Sequence, residues 1–103
     1  MSSTARPERS GERYPVQLKV AFERGEGLTR DVSARGVYFE TELPFVAGAQ
    51  IVCAIIFDTG AGPLHAICEG AVTRVDHRGS RLGVAASFSH VALSPVATLR
   101  ELA

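Results

Sequence analysis

Two arginines and a short acid–hydroxyl–glycine stretch are the residues best suited to chemistry in this chain of 103 residues. Arg9 and Arg13 stand four apart near the N-terminus. Each guanidinium is a planar fork that can grip a phosphate bidentately, read the O6/N7 edge of guanine, or stack on a purine. Downstream comes Asp31-Val32-Ser33-Ala34-Arg35-Gly36. The Asp31 carboxylate can accept from the N1–H and exocyclic amine of guanine, or hold an arginine in place. The Ser33 hydroxyl can serve a base or a phosphate. Gly36 allows a close backbone approach, or supplies the positive φ that a tight turn often needs. Each motif also has a plainer role. The arginines can be a solvated basic terminus, and Asp31–Gly36 an Asp-initiated turn with serine in support. Taken alone, each motif favours the plainer role. The two gain weight only if the arm carrying Arg9 and Arg13 folds towards Asp31.

The elements that would position these residues are read from hydrophobic pattern. Residues 1–12 are rich in Ser, Arg, Glu, Gly and Pro without apolar periodicity, and read as a flexible arm. Tyr14–Phe22 alternates, with Val16, Leu18, Val20 and Phe22 on one face, and is the clearest strand signal. A polar turn over Glu23–Gly27 leads to a second strand, Leu28–Val32, so the two form a hairpin. Val37–Thr41 is a third strand beyond the Asp31–Gly36 turn. Gln50–Asp58 is apolar and rich in β-branched residues, a buried fourth strand. Leu64–Val75 is a long fifth strand, in which Gly70 predicts a bulge or bend. Arg81–Phe88 is the sixth, with Leu82, Val84, Ala86 and Phe88 on one face. Ser94 is a suitable N-cap and Pro95 suits the first helical position, so a short helix is expected over 94–103. Its stripe of Val96, Leu99 and Leu102 would cover an open end of the β structure. Six short strands with turns between them predict an antiparallel barrel or sandwich, and closure would protect the strand edges.

Composition bounds the function. A chain of this length supports one domain, and 46% hydrophobic residues are enough for a core. Eleven basic and eleven acidic side chains cancel, so there is no overall field for DNA or RNA, and any anion site is local. The start of the chain lacks the apolar stretch of a signal peptide. The longest apolar run, Ile51–Phe57, is far short of the roughly 20 residues of a membrane-spanning helix. The expected location is the cytoplasm. Cys53 and Cys68 are read as buried reduced thiols, which a hairpin centred between Gly60 and Ala61 would place opposite each other. His65, His77 and His90 have no metal-ligand spacing, and no nucleophile motif or glycine-rich phosphate loop stands out. No enzyme, metal or cofactor is expected.

In combination the motifs resemble the PilZ domain family. The resemblance rests on Arg9-x-x-x-Arg13 followed by a strand, a hairpin return and Asp31-x-Ser33-x-x-Gly36. Arg13-Tyr14-Pro15-Val16 leads into the first strand as in that family, and Gly36–Thr41, Glu69–Val75 and Leu82–Phe88 look like its later strands. Leu93-Ser94-Pro95 resembles the start of its final helix. The likeness spans nearly the whole chain. It implies an all-β fold, a six-stranded antiparallel β-barrel over residues 13–103 with a short C-terminal α-helix. It also implies binding of the bacterial second messenger cyclic di-GMP, carried by Arg9, Arg13, Asp31, Ser33 and Gly36. Arg6, Arg30, Arg35, Arg74 and Arg81 are further contacts of lower rank. The ligand would order the arm and signal to a partner protein, as in control of motility or biofilm formation. The alternative is an adaptor of the same fold with weak or no nucleotide binding. Monomer and homodimer both remain open.

Overall fold

The structure is a computed structural model that describes residues 13–94. Six antiparallel strands make up the described chain: β1 (Lys19–Phe22), β2 (Gly25–Ser33), β3 (Gly36–Thr41), β4 (Gln50–Thr59), β5 (Gly62–Arg78) and β6 (Arg81–Ser94). They close into a barrel in the order β1-β2-β3-β6-β5-β4, the expected architecture. The seam is the β1–β4 ladder, with Lys19, Val20 and Ala21 opposite Ile56, Ile55 and Ala54. Closure leaves those edges paired rather than exposed to another chain. No helix among the described residues is long and apolar enough to cross a membrane.

The core is built from inward-facing residues of all six strands. Val20, Val37, Phe39, Ile51, Cys53, Ile55, Ala66, Cys68, Val72, Val84 and Ala86 pack together inside the barrel. Leu18, Phe22, Val32, Phe45, Val75, Leu82 and Phe88 close over them. The faces read from alternation in the first and sixth strands are therefore the faces that the barrel buries. One end is sealed by Phe22, Phe39 and Phe45, with ring centroids 5.1–5.7 Å apart in tilted and edge-on contacts. Cys53 and Cys68 are buried, unbridged and directly opposite on β4 and β5, as the turn at Gly60-Ala61 predicts. The neighbouring Cys68 thiol, together with burial, holds the Cys53 thiol above its ordinary range.

The strand boundaries differ from the periodicity most at the first, second, fifth and sixth strands. The first strand starts at Lys19 rather than Tyr14, because the Thr29 side chain takes over the ladder there. Its Oγ1 accepts from the Leu18 amide (2.8 Å) and donates to the Val16 carbonyl (2.6 Å), while the Thr29 amide donates to the Leu18 carbonyl. Pro15 has no amide to offer, and Tyr14 rejoins the sheet through an isolated bridge to Val32. The second strand starts at Gly25, and the turn shrinks to Glu23-Arg24. Gly27 lies inside the strand, paired with Val20 and Thr41, and a Cβ there would fall 2.5 Å from the Glu40 carbonyl oxygen, so the position takes glycine. The fifth and sixth strands are longer than expected. Ser89–Ser94 continues β6, with His90–Ser94 paired to Glu69–His65 of β5. Ser94 thus ends a strand; the helix expected after it lies outside the described residues. The irregularity expected at Gly70 is present, but the unpaired residue is Ser89 across from it. At Gly70 a Cβ would stand 1.9 Å from the Ser87 carbonyl oxygen, so only glycine fits.

Thr29 is fully buried and links the N-terminal segment to the barrel. Thr29→Val keeps the shape but leaves the Leu18 amide and Val16 carbonyl without this partner, an expected loss of about 1–3 kcal/mol. Thermal denaturation followed by circular dichroism should show a fall of roughly 4–8 °C per kcal/mol lost. An unchanged midpoint would mean that water replaces the hydroxyl at no cost.

Candidate functional site

The sequence places Asp31 and Ser33 near the end of one strand, and the ladder explains how both come to face outwards. Thr29 is paired with Phe39, yet the next paired residue is Asp31, opposite Tyr38. Arg30 is therefore an extra residue, a β-bulge. Side chains alternate along a regular strand, so Asp31 would share the inward face of Thr29. The bulge resets the alternation. Thr29 and Val32 point to the core, while Arg30, Asp31 and Ser33 lie outside.

Arg13 reaches this surface because Tyr14 is fixed to Val32 by two backbone hydrogen bonds, Tyr14 N–H to Val32 O (2.8 Å) and Val32 N–H to Tyr14 O (3.0 Å). In an antiparallel bridge this sets Arg13 beside Ser33 and within reach of Asp31. One Nη of Arg13 donates to Asp31 Oδ1 in a direct ion pair. The Arg13 side chain is 51% exposed and that of Asp31 29%, so the pair is open to solvent and to a competing ligand.

Ser33 and Gly36 close the β2–β3 hairpin around the two-residue turn Ala34-Arg35. The Ser33 hydroxyl accepts from the Arg35 amide at 3.3 Å and donates to the Gly36 carbonyl at 3.4 Å. Both contacts are long for hydrogen bonds of these types, so the hydroxyl is weakly committed and free to turn to another partner. Gly36 does not take up the positive φ considered from the sequence; among the described residues the glycines that do are Gly48, Gly62 and Gly79. Its role is close approach. A Cβ on Gly36 would stand 2.3 Å from the Ala86 carbonyl oxygen, so β6 presses directly on this backbone. The adjoining Arg35 carbonyl accepts from the Phe88 amide at 2.7 Å. The hairpin tip is thus fixed to β6 from two sides.

The surrounding outer surface is rich in arginine. Arg30 pairs with Glu40. Arg74 Nε donates to Asp76 Oδ2 at 3.2 Å, and the Tyr38 hydroxyl donates to the same oxygen at 3.1 Å. Arg78 and Arg81 stand opposite each other at the far β5–β6 turn. The Tyr38 oxygen pushes the Arg78 guanidinium further up from its already high range, which leaves it firmly charged. This is the local basic surface that a neutral chain must have if it is to bind an anion. Of the residues read from the sequence, Arg13, Asp31, Ser33 and Gly36 come together, with Arg30 and Arg35 beside them. Arg81 sits farther off at the β5–β6 turn. Arg6 and Arg9 lie outside the described residues. The sequence reading leaves Tyr38 as an ordinary strand residue and Asp76 just past the fifth strand with no role; the longer β5 and cross-strand register are what bring them to this surface. A pocket of about 310 Å³ lies at the other end of β2, lined by Phe22, Leu43, Phe45 and Ile51 together with the polar Glu23, Arg24 and Gln50.

Gly36→Ala tests whether this hairpin is positioned by contact with β6. The added methyl meets a backbone oxygen that cannot rotate away, so the variant should lose about 1–3 kcal/mol, visible as a lower thermal midpoint without any ligand. Stability equal to wild type would show that the hairpin is not held against β6.

No curated protein matches the chain. The profile of the PilZ domain matches residues 4–103, essentially the whole chain. The closed six-stranded barrel, and a full-length profile match, assign the chain to the PilZ domain family of cyclic di-GMP-binding domains.

Proposed function

We propose that this PilZ domain binds cyclic di-GMP through Arg9 and Arg13 of the N-terminal segment and Asp31, Ser33 and Gly36 of the β2–β3 hairpin. The observation that carries this reading is the Arg13–Asp31 ion pair, which joins two motifs 18 residues apart in sequence. Asp31 engages one nitrogen of the Arg13 fork and fixes its direction. The remaining guanidinium N–H groups are available to a phosphate oxygen or to the O6/N7 edge of a guanine. Asp31 also keeps acceptor capacity for the N1–H and amine of guanine. Ser33, loosely bonded, can turn its hydroxyl to the ligand. Gly36 keeps the hairpin close to β6.

In this mechanism the second fork, Arg9, joins when the nucleotide binds. Ordering of the N-terminal segment costs conformational entropy of about 1–2 kcal/mol per residue, so the charge-assisted bonds to two phosphates must exceed that sum. The gain is a new surface made of arm and ligand together, which a downstream protein can recognise. No step makes or breaks a covalent bond; the chain acts as a receptor. An adaptor of the same fold that works without nucleotide would keep its partner when the arginines are removed.

Titration calorimetry with cyclic di-GMP separates these readings. Wild type should show saturable binding at micromolar ligand. Arg13→Ala and Asp31→Ala should each weaken it by at least about tenfold, since a hydrogen bond to a charged group contributes roughly 1.5–3 kcal/mol. The double variant should be little worse than either single one, because both act on one shared contact. Absence of saturable heat with the wild type would reject the receptor reading. Simple additivity of the two substitutions would reject the coupled site.

A further inference from the structure

The end of β2 away from Asp31 carries a surface that nucleotide binding does not use. It is built from the β1–β2 turn, Glu23-Arg24, and the loop of residues 42–49 that joins β3 to β4. The two segments touch because Gly25 has no side chain: a Cβ there would stand 3.0 Å from Leu43 Cδ1. The loop is held at both ends. Thr41 Oγ1 donates to the Glu26 carbonyl (3.0 Å) and accepts from the Leu43 amide (3.1 Å). The Gly48 amide donates to the Val72 carbonyl (2.7 Å), and the Val72 amide to the Ala49 carbonyl (2.8 Å). Between these anchors Leu43 and Phe45 line the 310 Å³ pocket with Phe22 and Ile51. Next to Phe45, Val46 opens a tight turn, its carbonyl accepting from the Ala49 amide at 3.2 Å, and its side chain is 68% exposed. Glu23 and Arg24 at the pocket rim are exposed, and neither has an ion-pair partner among the described residues.

One patch therefore holds a preformed apolar hole, an apolar knob on a fixed turn, and two adjacent opposite charges without partners. We propose that this patch is a self-association face, on which a second copy of the chain docks about a two-fold axis. Such an axis makes a patch meet itself, so that what one residue contacts on the other copy is contacted reciprocally. The features of the patch are complementary to one another in that way. With the axis beside the turn, Glu23 of each copy faces Arg24 of the other, and four unpaired charges become two ion pairs. Val46 of each copy enters the pocket of the other and removes apolar surface on both sides from water. A different protein with one dominant charge would meet a like charge at this turn as well as an opposite one. A small apolar ligand would fill the pocket but leave Val46 and both charges unpartnered. Hole and knob are fixed before association, so little is lost in ordering them. The Asp31 hairpin tip lies at the opposite end of β2, so the dimer leaves that surface open and does not depend on nucleotide binding.

Sedimentation velocity of the intact chain without nucleotide, at concentrations up to about 1 mM, tests this. Wild type should show a reversible dimer. Arg24→Glu leaves acids at both turn positions and Glu23→Arg leaves bases at both, so each variant should self-associate about tenfold or more weakly than wild type. Mixing the two variants should restore the dimer, because each turn then meets its opposite charge. Val46→Asp should weaken association to a similar degree by bringing a carboxylate to the apolar pocket. All three positions are exposed, and circular dichroism confirms that each variant is folded. A wild type that stays monomeric throughout overturns the proposal. A dimer indifferent to all three substitutions places the interface elsewhere and also overturns it. If mixing the two charge variants fails to restore the dimer, Glu23 and Arg24 do not face each other across an axis, and the two-fold arrangement falls.

Discussion

One unpaired residue in β2 governs what the surface of this barrel can do. Arg30 has no partner in the β2–β3 ladder, and every side chain beyond it changes side. Without the bulge, Asp31 and Ser33 would follow Thr29 into the core, where a carboxylate is costly unless paired, and Val32 would face water. With it, Val32 packs in the barrel and the two polar groups emerge together. The same device recurs on β5. Thr73 is unpaired there, and Arg74 emerges beside Thr73 while Val72 and Val75 remain inside. Two bulges on non-adjacent strands thus turn an acid and an arginine onto one side of the barrel, with Tyr38 between them. These bulged ladder positions also lie nearest the candidate chemistry, a common placement for bulges in barrels.

Close packing supplies the second constraint. β6 lies against its neighbours where Gly36, Gly70 and Gly83 leave no room for a Cβ. At Gly36 the obstacle is the Ala86 carbonyl; at Gly70 it is the Ser87 carbonyl; at Gly83 it is the Tyr38 ring. Backbone obstacles cannot rotate away, so these glycines fix where β3 and β5 sit relative to β6. The hairpin tip that carries Ser33 is therefore a rigid part of the barrel.

Much of the fold is legible in the sequence because a barrel writes its inside as alternation. Val16, Leu18, Val20 and Phe22, or Leu82, Val84, Ala86 and Phe88, announce their faces directly. The cysteine pairing also follows from one turn, since a hairpin has a single register once its centre is known. The bulges are less visible. Arg30 and Thr73 are common residue types in strands, and nothing in their neighbours marks them as unpaired. Ser89–Ser94 reads as a loop before a helix because it follows a completed run of apolar alternation, yet β5 is long enough to pair with it. At the candidate site, residue types and spacing pointed to Arg13, Asp31, Ser33 and Gly36, and the barrel brings these four together. The reason for Gly36 was the harder inference. A glycine after Ala34-Arg35 suggests a positive φ, whereas a crowding backbone on a distant strand leaves no trace in local sequence.

The electrostatics of this surface explain how it can hold arginines in place and still release them. Arg13, Arg30 and Arg74 each meet a carboxylate, respectively Asp31, Glu40 and Asp76. All three arginine side chains are more than half exposed. Exposed ion pairs of this kind contribute only about 0–1 kcal/mol, because water competes for both partners. Had the pairs been buried, removing an arginine from its carboxylate would cost several kcal/mol, and a ligand would have to supply it. At the surface the carboxylates act as guides. They set the direction of each fork at little energetic commitment, and the neutral total charge prevents a broad field that would draw long polyanions. Such an arrangement suits a small anion with several rigid hydrogen-bonding groups, which can engage a number of weakly held forks together and gain from all of them.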